Sequence, residues 1–204
     1  MTVDRQVAGR RNWGGHLFRR FLRRRDGAAA IEFAFLSIPF VMIVFASAET
    51  FVAYMGEQLL ANANQTMARK IRTGEITFGL GKSTDLKAAD YRKAFCEEIS
   101  ILMPCSEAEL KTPSKLFLDV RTFSSFADVK KSTVVPLTNG DLDTSAFSFA
   151  PGGKQTINVV RAYYKWDIMT DLIRPYITNL KPTDGSTRRY LMVDATVVQN
   201  ENYP

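Results

Sequence analysis

Apolar residues follow two regimes along this chain. From Ala28 to Ala48 they run almost unbroken, and past Glu49 they break into stripes and alternations. The unbroken run is 21 residues long, enough at about 1.5 Å per residue to cross a hydrocarbon layer of roughly 30 Å. Beyond it, Phe51, Val52, Met55, Leu59, Leu60, Ala63, Met67 and Ile71 recur at spacings of three, four and seven, the signature of one apolar helix face. Arg69, Lys70 and Arg72 suit the negative end of a helix dipole, and Gly74 supplies a stop. The pattern predicts one helix over 28–72, about 65 Å long and over twice the hydrocarbon thickness. Its outer half presents a stripe either to its own domain or to neighbouring subunits; packing on its own domain is the simpler arrangement.

Residues 75–204 are numerous enough for one compact domain with its own core. Leu86, Ala89, Ala94, Phe95 and Ile99 mark a helix over Asp85–Met103 that Pro104 ends. Leu116–Phe123, Thr156–Ile168 and Arg189–Gln199 alternate in the manner of strands. Turn-rich pieces separate them at Asn139-Gly140, Pro151-Gly152-Gly153 and 182–186, and Asp171–Leu180 reads as a short helix or loop interrupted by Pro175. The expected fold class is α+β, with a long N-terminal transmembrane helix continuing into a helix packed on a small antiparallel sheet.

Charge divides the chain at the same place. The formal net charge is +6, from 27 Lys and Arg against 21 Asp and Glu. Residues 1–27 carry eight of the arginines and two aspartates, which leaves 19 of each sign in the remainder. No basic excess remains there to recommend DNA or RNA as a partner. Short basic flanks stay on the cytoplasmic side of a membrane helix, so residues 1–27 are expected inside and the bulk outside. The resulting division is a basic cytoplasmic leader over 1–27, a transmembrane segment over 28–48, a helix extension over 49–74, and a periplasmic domain over 75–204.

Glu32 sits inside the apolar run, where a carboxylate costs several kcal/mol. Three readings of the N-terminus compete. One is a plain single-pass anchor. Another is a secretory signal peptide cut after Ala46-Ser47-Ala48, although the run exceeds the usual signal length and contains Glu32 and Pro39. The third is a leader cut on the cytoplasmic side between Gly27 and Ala28. That cut creates an α-ammonium group at Ala28, four residues and about 6 Å of helix from Glu32. In a helical stack the carboxylate of one subunit can then neutralise the ammonium of another, which selects axial register more than it adds net stability. Only the third reading uses the glutamate.

The stretch RRRDGAAAIEFAFLSIPF resembles the N-terminus of a TadE-like pseudopilin, a family that includes the TadE, TadF and TadG types. G-A-A-A-I-E-F is similar to the G-x-x-x-x-E-[YF] processing site of type IVb Flp pilins, and Pro39 and Glu49 suit the family's mid-span proline and outer glutamate. The family's glycine shortly before that outer glutamate is absent, Ala46 and Ser47 standing instead. The resemblance covers about residues 19–75. It implies a pilin-like fold and a minor structural role in tight-adherence (Flp, type IVb) pilus assembly and hence cell adhesion. It also implies a bacterial inner-membrane location with the N-terminus cytoplasmic. Implied partners are a prepilin peptidase, other pilin-like subunits, Flp assembly proteins and the membrane. Processing falls to Gly27 and Ala28, and register with N-terminus neutralisation to Glu32 and Phe33. The alternative is an unprocessed single-pass protein whose outer domain is a binding module.

Cys96 and Cys105, the only cysteines, lie nine residues apart across the helix end at Pro104. An oxidising compartment favours a disulfide here, worth about 2 to 3 kcal/mol; two buried thiols would suit a cytosolic domain. Enzymatic chemistry, a cofactor and a metal are not expected. The single histidine, His16, is in the leader, so the outer domain lacks a Ser-His or Cys-His pair. Asp141 and Asp143 beside Asn139-Gly140 lack the ligand spacing of a calcium loop and read as a solvated turn. Aromatics concentrate between 115 and 180, chiefly for packing. Tyr163, Tyr164 and Trp166 cannot all face one side of a strand, so at least one is exposed or lies between layers.

Overall fold

The computed structural model describes residues 25–131, 135–171 and 173–203. The basic leader up to residue 24, with His16, lies outside the described residues. The contacts divide the chain between Ser47 and Ala48. In the first unit, helix α1 (Arg25–Arg72) begins, three residues earlier than its apolar pattern. Its side chains from Ile31 to Phe45 are almost all exposed, and the segment is long and apolar enough to cross a membrane. Pro39 lies inside the helix and has no N–H to offer the Phe35 carbonyl one turn back.

The second unit packs the outer half of α1 and helix α2 (Ala88–Ile99) on one face of a four-stranded sheet. The sheet holds β1 (Leu116–Phe123), β4 (Phe149–Ala150), β5 (Ile157–Trp166) and β6 (Tyr190–Gln199), in the order β4-β1-β5-β6. Strands β1, β5 and β6 pair antiparallel, and β4 pairs parallel with β1. The sheet is therefore mixed rather than wholly antiparallel. Its parallel member spans two residues, too short to leave an alternation in the sequence. Val120 N–H donates to Ser148 O (2.7 Å) and Ser148 N–H to the Asp119 carboxylate (3.1 Å), which lashes it to β1.

The core on the helix side joins Leu60, Met67 and Ile71 of α1 to Phe95 and Ile99 of α2 and to Leu116, Val160, Ala162 and Met192 of the sheet. The buried face of α1 runs Ala53, Leu60, Ala63, Asn64, Met67, Ala68, Ile71. It is rotated from the expected stripe at its start, because Phe51 and Met55 stay exposed. Gly56 explains the rotation. A Cβ at Gly56 would stand 3.1 Å from the Met192 methyl and 3.5 Å from the Trp166 ring, so α1 approaches the sheet there through a residue without a side chain. The helix stops as expected: Gly74 adopts φ +79° and Ile76 N–H donates to Lys70 O.

A second layer covers the other face of the sheet. Short helix α3 (Glu107–Lys111) leads into β1 with its Leu110 against the helix-side core, whereas α4 (Phe126–Lys131) follows β1 on the other face. The hairpin β2 (Leu137–Thr138) and β3 (Asp141–Leu142) turns on Asn139 and Gly140, both at positive φ. Leu142, Leu180 and Leu191 pack with Tyr163 there, and Val129 packs with Ile157 and Val159. Tyr163 is thus buried between layers, stacked on Phe147 at 5.0 Å, and is not a surface aromatic. Helix α2 is shorter than its 85–103 pattern because Asp85 is consumed by a turn. Its carboxylate accepts from the Thr77 hydroxyl and the Gly81 and Lys82 N–H groups. Helix α5 (Arg174–Ile177) carries Pro175 in its first turn, so the proline opens that helix instead of interrupting it.

Candidate functional site

Gly27, Ala28, Glu32 and Phe33 lie in the first turns of α1. Ala28 and Glu32 are four residues apart and share a helix face. Glu32 is exposed, and Phe33 is 74% exposed. Among the described residues no hydrogen bond or ion pair reaches Glu32. An acidic group on an otherwise greasy exposed surface therefore lacks a partner in its own described chain. Ser37, by contrast, satisfies its hydroxyl locally by donating to Ala34 O at 3.0 Å.

At the far end of the apolar run Glu49 behaves differently. It is buried, and its carboxylate accepts the Met169 N–H and, at 3.1 Å, the Thr170 N–H. The Arg174 guanidinium supports the same turn by donating to Ile168 O (2.7 Å) and pairing with Asp171 (2.7 Å). Two turns further along α1, the Tyr190 hydroxyl donates to Glu57 at 2.5 Å. That bond, with burial and the nearby negative charge, pushes the Tyr190 phenol up to about 12. A groove of about 340 Å³ opens here, lined by Thr50, Ala53, Tyr54 and Glu57 of α1 with Ile168, Ile177 and Tyr190. Deeper in, the Asn64 amide donates to Val160 O (3.1 Å), Asp194 (2.6 Å) and Thr196 (3.2 Å). Glu49, Glu57 and Asn64 are thus three polar pins between α1 and the rest of its unit. The partners of Glu57 and Asn64 lie 96 to 133 residues away along the chain, so no local pattern marks these two residues as buried.

Cys96 and Cys105 form a disulfide with Cα atoms 5.7 Å apart, tying α2 to the segment before α3. Asp141 pairs with Lys165 at 2.7 Å, and Asp143 accepts from Ser145 N–H (2.9 Å) and the Thr138 hydroxyl (3.1 Å). Both aspartates serve the hairpin. Buried Asp119, only 1% exposed, meets Arg161 directly across the β1–β5 ladder at 3.0 Å and Arg121 at 2.7 Å. This charge cluster was missed in the sequence, since only the strand register brings Asp119 and Arg161 together.

The geometry defines a class first: an α+β protein carried on one long apolar N-terminal helix, with a carboxylate near each end of the apolar run. Residues 27–69 match the family described as TadE-like protein, the same family that the G-A-A-A-I-E-F stretch resembles. The match begins at Gly27 and covers α1 almost to its end, leaving the sheet domain outside it. No curated protein and no solved structure matches the chain.

Proposed function

We propose that this protein is a minor pilin-like (pseudopilin) component of tight-adherence, Flp-type IVb pilus biogenesis, cut after Gly27 by a prepilin peptidase. The single observation that carries the reading is Glu32: a carboxylate on the exposed apolar face of α1, without a partner among the described residues, in a segment that matches the TadE-like family. In lipid, an unpaired carboxylate is costly. Cleavage supplies the missing charge, because the Ala28 ammonium of one subunit can meet the Glu32 carboxylate of the next. Removing one partner of such a buried pair typically costs about 3–5 kcal/mol, so the pair fixes which axial offset two helices adopt. Phe33, beside Glu32 and outward-facing, packs against the neighbouring helix. The basic leader holds the N-terminus at the cytoplasmic face of the inner membrane until it is removed, and residues 75–204 fold in the periplasm. The oxidising periplasm suits the disulfide between Cys96 and Cys105.

N-terminal sequencing of the mature protein tests this reading. Ala28 is the expected first residue. Glu32→Ala is expected to insert and fold normally yet fail to enter the pilus assembly. An intact Met1 terminus alongside normal piliation would overturn the proposal.

A further inference from the structure

The sheet edge on the β4 side of β1 has a gap. Along β1 the even-numbered residues turn their N–H and C=O groups away from β5 and toward this edge, as Val120 does when its N–H donates to Ser148 O (2.7 Å). Leu116 is closed off there: its N–H donates to the Glu109 carboxylate (2.9 Å), and its C=O accepts from the Arg92 guanidinium. Between the two stands Leu118. Among the described residues neither its N–H nor its C=O has a partner. The chain entering β4 passes close by but turns away. Phe147 N–H donates back to Thr144 O (3.1 Å), and Ser148 N–H donates to the Asp119 carboxylate (3.1 Å).

A cleft of about 310 Å³ opens at this gap, with Leu118, Phe117, Phe147, Phe149, Tyr91 and Arg92 in its lining. Arg92, half-buried on α2, brings a fork of N–H donors and a permanent charge. It donates to Leu116 O and forms no ion pair among the described residues. Glu109 is near enough to favour its charge, but that carboxylate already accepts from the Ser114 hydroxyl and the N–H groups of Ser114, Lys115 and Leu116. Burial works against the guanidinium and outweighs this help, so its pKa is lowered. Tyr91 also keeps a buried hydroxyl without a partner. The cleft thus combines aromatic walls, one open main-chain pair and a cation short of an anion.

An extended chain can dock on a sheet edge by main-chain pairing. A continuous strand needs several open residues in succession, and here it would find Leu118 alone. A chain running antiparallel to β1 travels from the β4 end toward Leu116. It therefore brings its carboxyl end to Arg92, two residues or about 7 Å beyond Leu118. An internal segment would offer the guanidinium no charge. We propose that this notch binds the C-terminal end of a partner polypeptide. The penultimate residue exchanges N–H and C=O hydrogen bonds with Leu118, the terminal carboxylate meets Arg92, and an apolar terminal side chain lies among the phenylalanine rings. Upstream, the partner leaves the sheet where β4 takes over the edge. The notch lies wholly within residues 88–149, so this binding depends neither on a membrane span nor on cleavage at Gly27.

The test uses the full chain in detergent and the peptide Gly-Ser-Gly-Ala-Phe with fluorescein on its N-terminus, binding being read by fluorescence anisotropy. The peptide with a free carboxylate is expected to bind saturably, and its C-terminal amide at least about tenfold more weakly, for want of one charge-assisted pair. An ester in place of the alanine N–H removes the donor to Leu118 O and is expected to weaken binding several-fold. Acetylphenylalanine carries the same carboxylate and ring without that N–H, and is expected to compete about tenfold less well than the unlabelled peptide. Arg92→Gln is expected to bind acid and amide alike, with its fold checked by circular dichroism. Should Arg92→Gln not fold, the peptide comparisons on the parent protein decide alone. Equal binding of acid and amide by the parent would overturn the carboxylate site, and an ester as good as the amide-linked peptide would overturn the pairing with Leu118. Equal competition by acetylphenylalanine would overturn the assignment to a chain end, and no saturable binding below about 1 mM would overturn the whole proposal.

Discussion

Truncating Asn64 to alanine should loosen the attachment of α1 to its sheet more than any other polar change along the helix. Asn64 is fully buried, and its amide donates to the Asp194 carboxylate at 2.6 Å and to Val160 O at 3.1 Å. A hydrogen bond to a charged acceptor contributes about 1.5–3 kcal/mol, and one to a neutral carbonyl about 1 kcal/mol. The side-chain oxygen of Asn64 has no partner, so deleting it returns about 1 kcal/mol of desolvation penalty. The net expected loss is about 2–3 kcal/mol. Asn64→Asp should lose more, because a second carboxylate would face Asp194 across the same short distance. Urea unfolding of the full chain in detergent, followed by Trp166 fluorescence in a Trp13→Phe background, measures both. Pairing Asn64→Ala with Asp194→Ala isolates the coupling, expected at about 1–2 kcal/mol. An Asn64→Ala protein within about 0.5 kcal/mol of the parent, the range of an ordinary surface change, would show that this pin contributes nothing and that apolar packing alone docks the helix.

Two further predictions concern the sheet domain. Reducing the Cys96–Cys105 disulfide, or replacing both residues by serine, is expected to lower stability by about 2.5 kcal/mol, the closure entropy of a loop this short; an unchanged urea midpoint under dithiothreitol would refute it. Acid should weaken the domain through Glu109. Burial works to raise this carboxyl, but the Ser114 hydroxyl and the N–H groups of Leu116, Lys115 and Ser114 outweigh it and hold it below the ordinary glutamate value of 4.5. A carboxyl depressed on folding stabilises above its unfolded pKa, and that contribution is lost as pH falls from about 4.5 through the lower folded value. The gap in melting temperature between the parent and Glu109→Gln should therefore narrow between pH 6 and pH 3, and a constant gap across that range would rule the mechanism out.

Local patterns carried the elements and little of what joins them. Strand β1 falls at Leu116–Phe123 as its alternation predicts, and β5 and β6 fall within a residue or two of their expected ends. The helices α3 and α4 do carry a local signal. Ser106 accepts the Glu109 N–H and Ser125 accepts the Asp128 N–H, so each helix opens on a serine followed three residues later by an acidic residue. Strand β4 had none, since two residues in an edge pair need no alternation. The deeper gap is the second layer of the sheet. β5 is buried along nearly its whole length, yet it contains Asn158, Arg161 and Lys165, which argue locally for a solvated face. Arg161 is buried because Asp119 lies opposite it, and Lys165 because Asp141 and the Phe117 ring receive it. Each compensation comes from 24 to 48 residues away along the chain, beyond any window of local reading.

The same distinction separates the two glutamates of the apolar helix. Both look alike in sequence, a carboxylate near an end of one greasy run. Glu49 finds two N–H donors some 120 residues away in its own chain, so its cost is met when a single molecule folds. Glu32 finds none among the described residues. Among the described residues, folding therefore meets the cost of Glu49 and leaves that of Glu32 unmet. A carboxylate that folding leaves unsatisfied in an apolar setting favours any encounter that supplies a cation. On the proposed cleavage at Gly27, the source of one would be the new terminus of an identical or related helix. One glutamate thus builds the subunit, and on the proposed function the other serves the assembly.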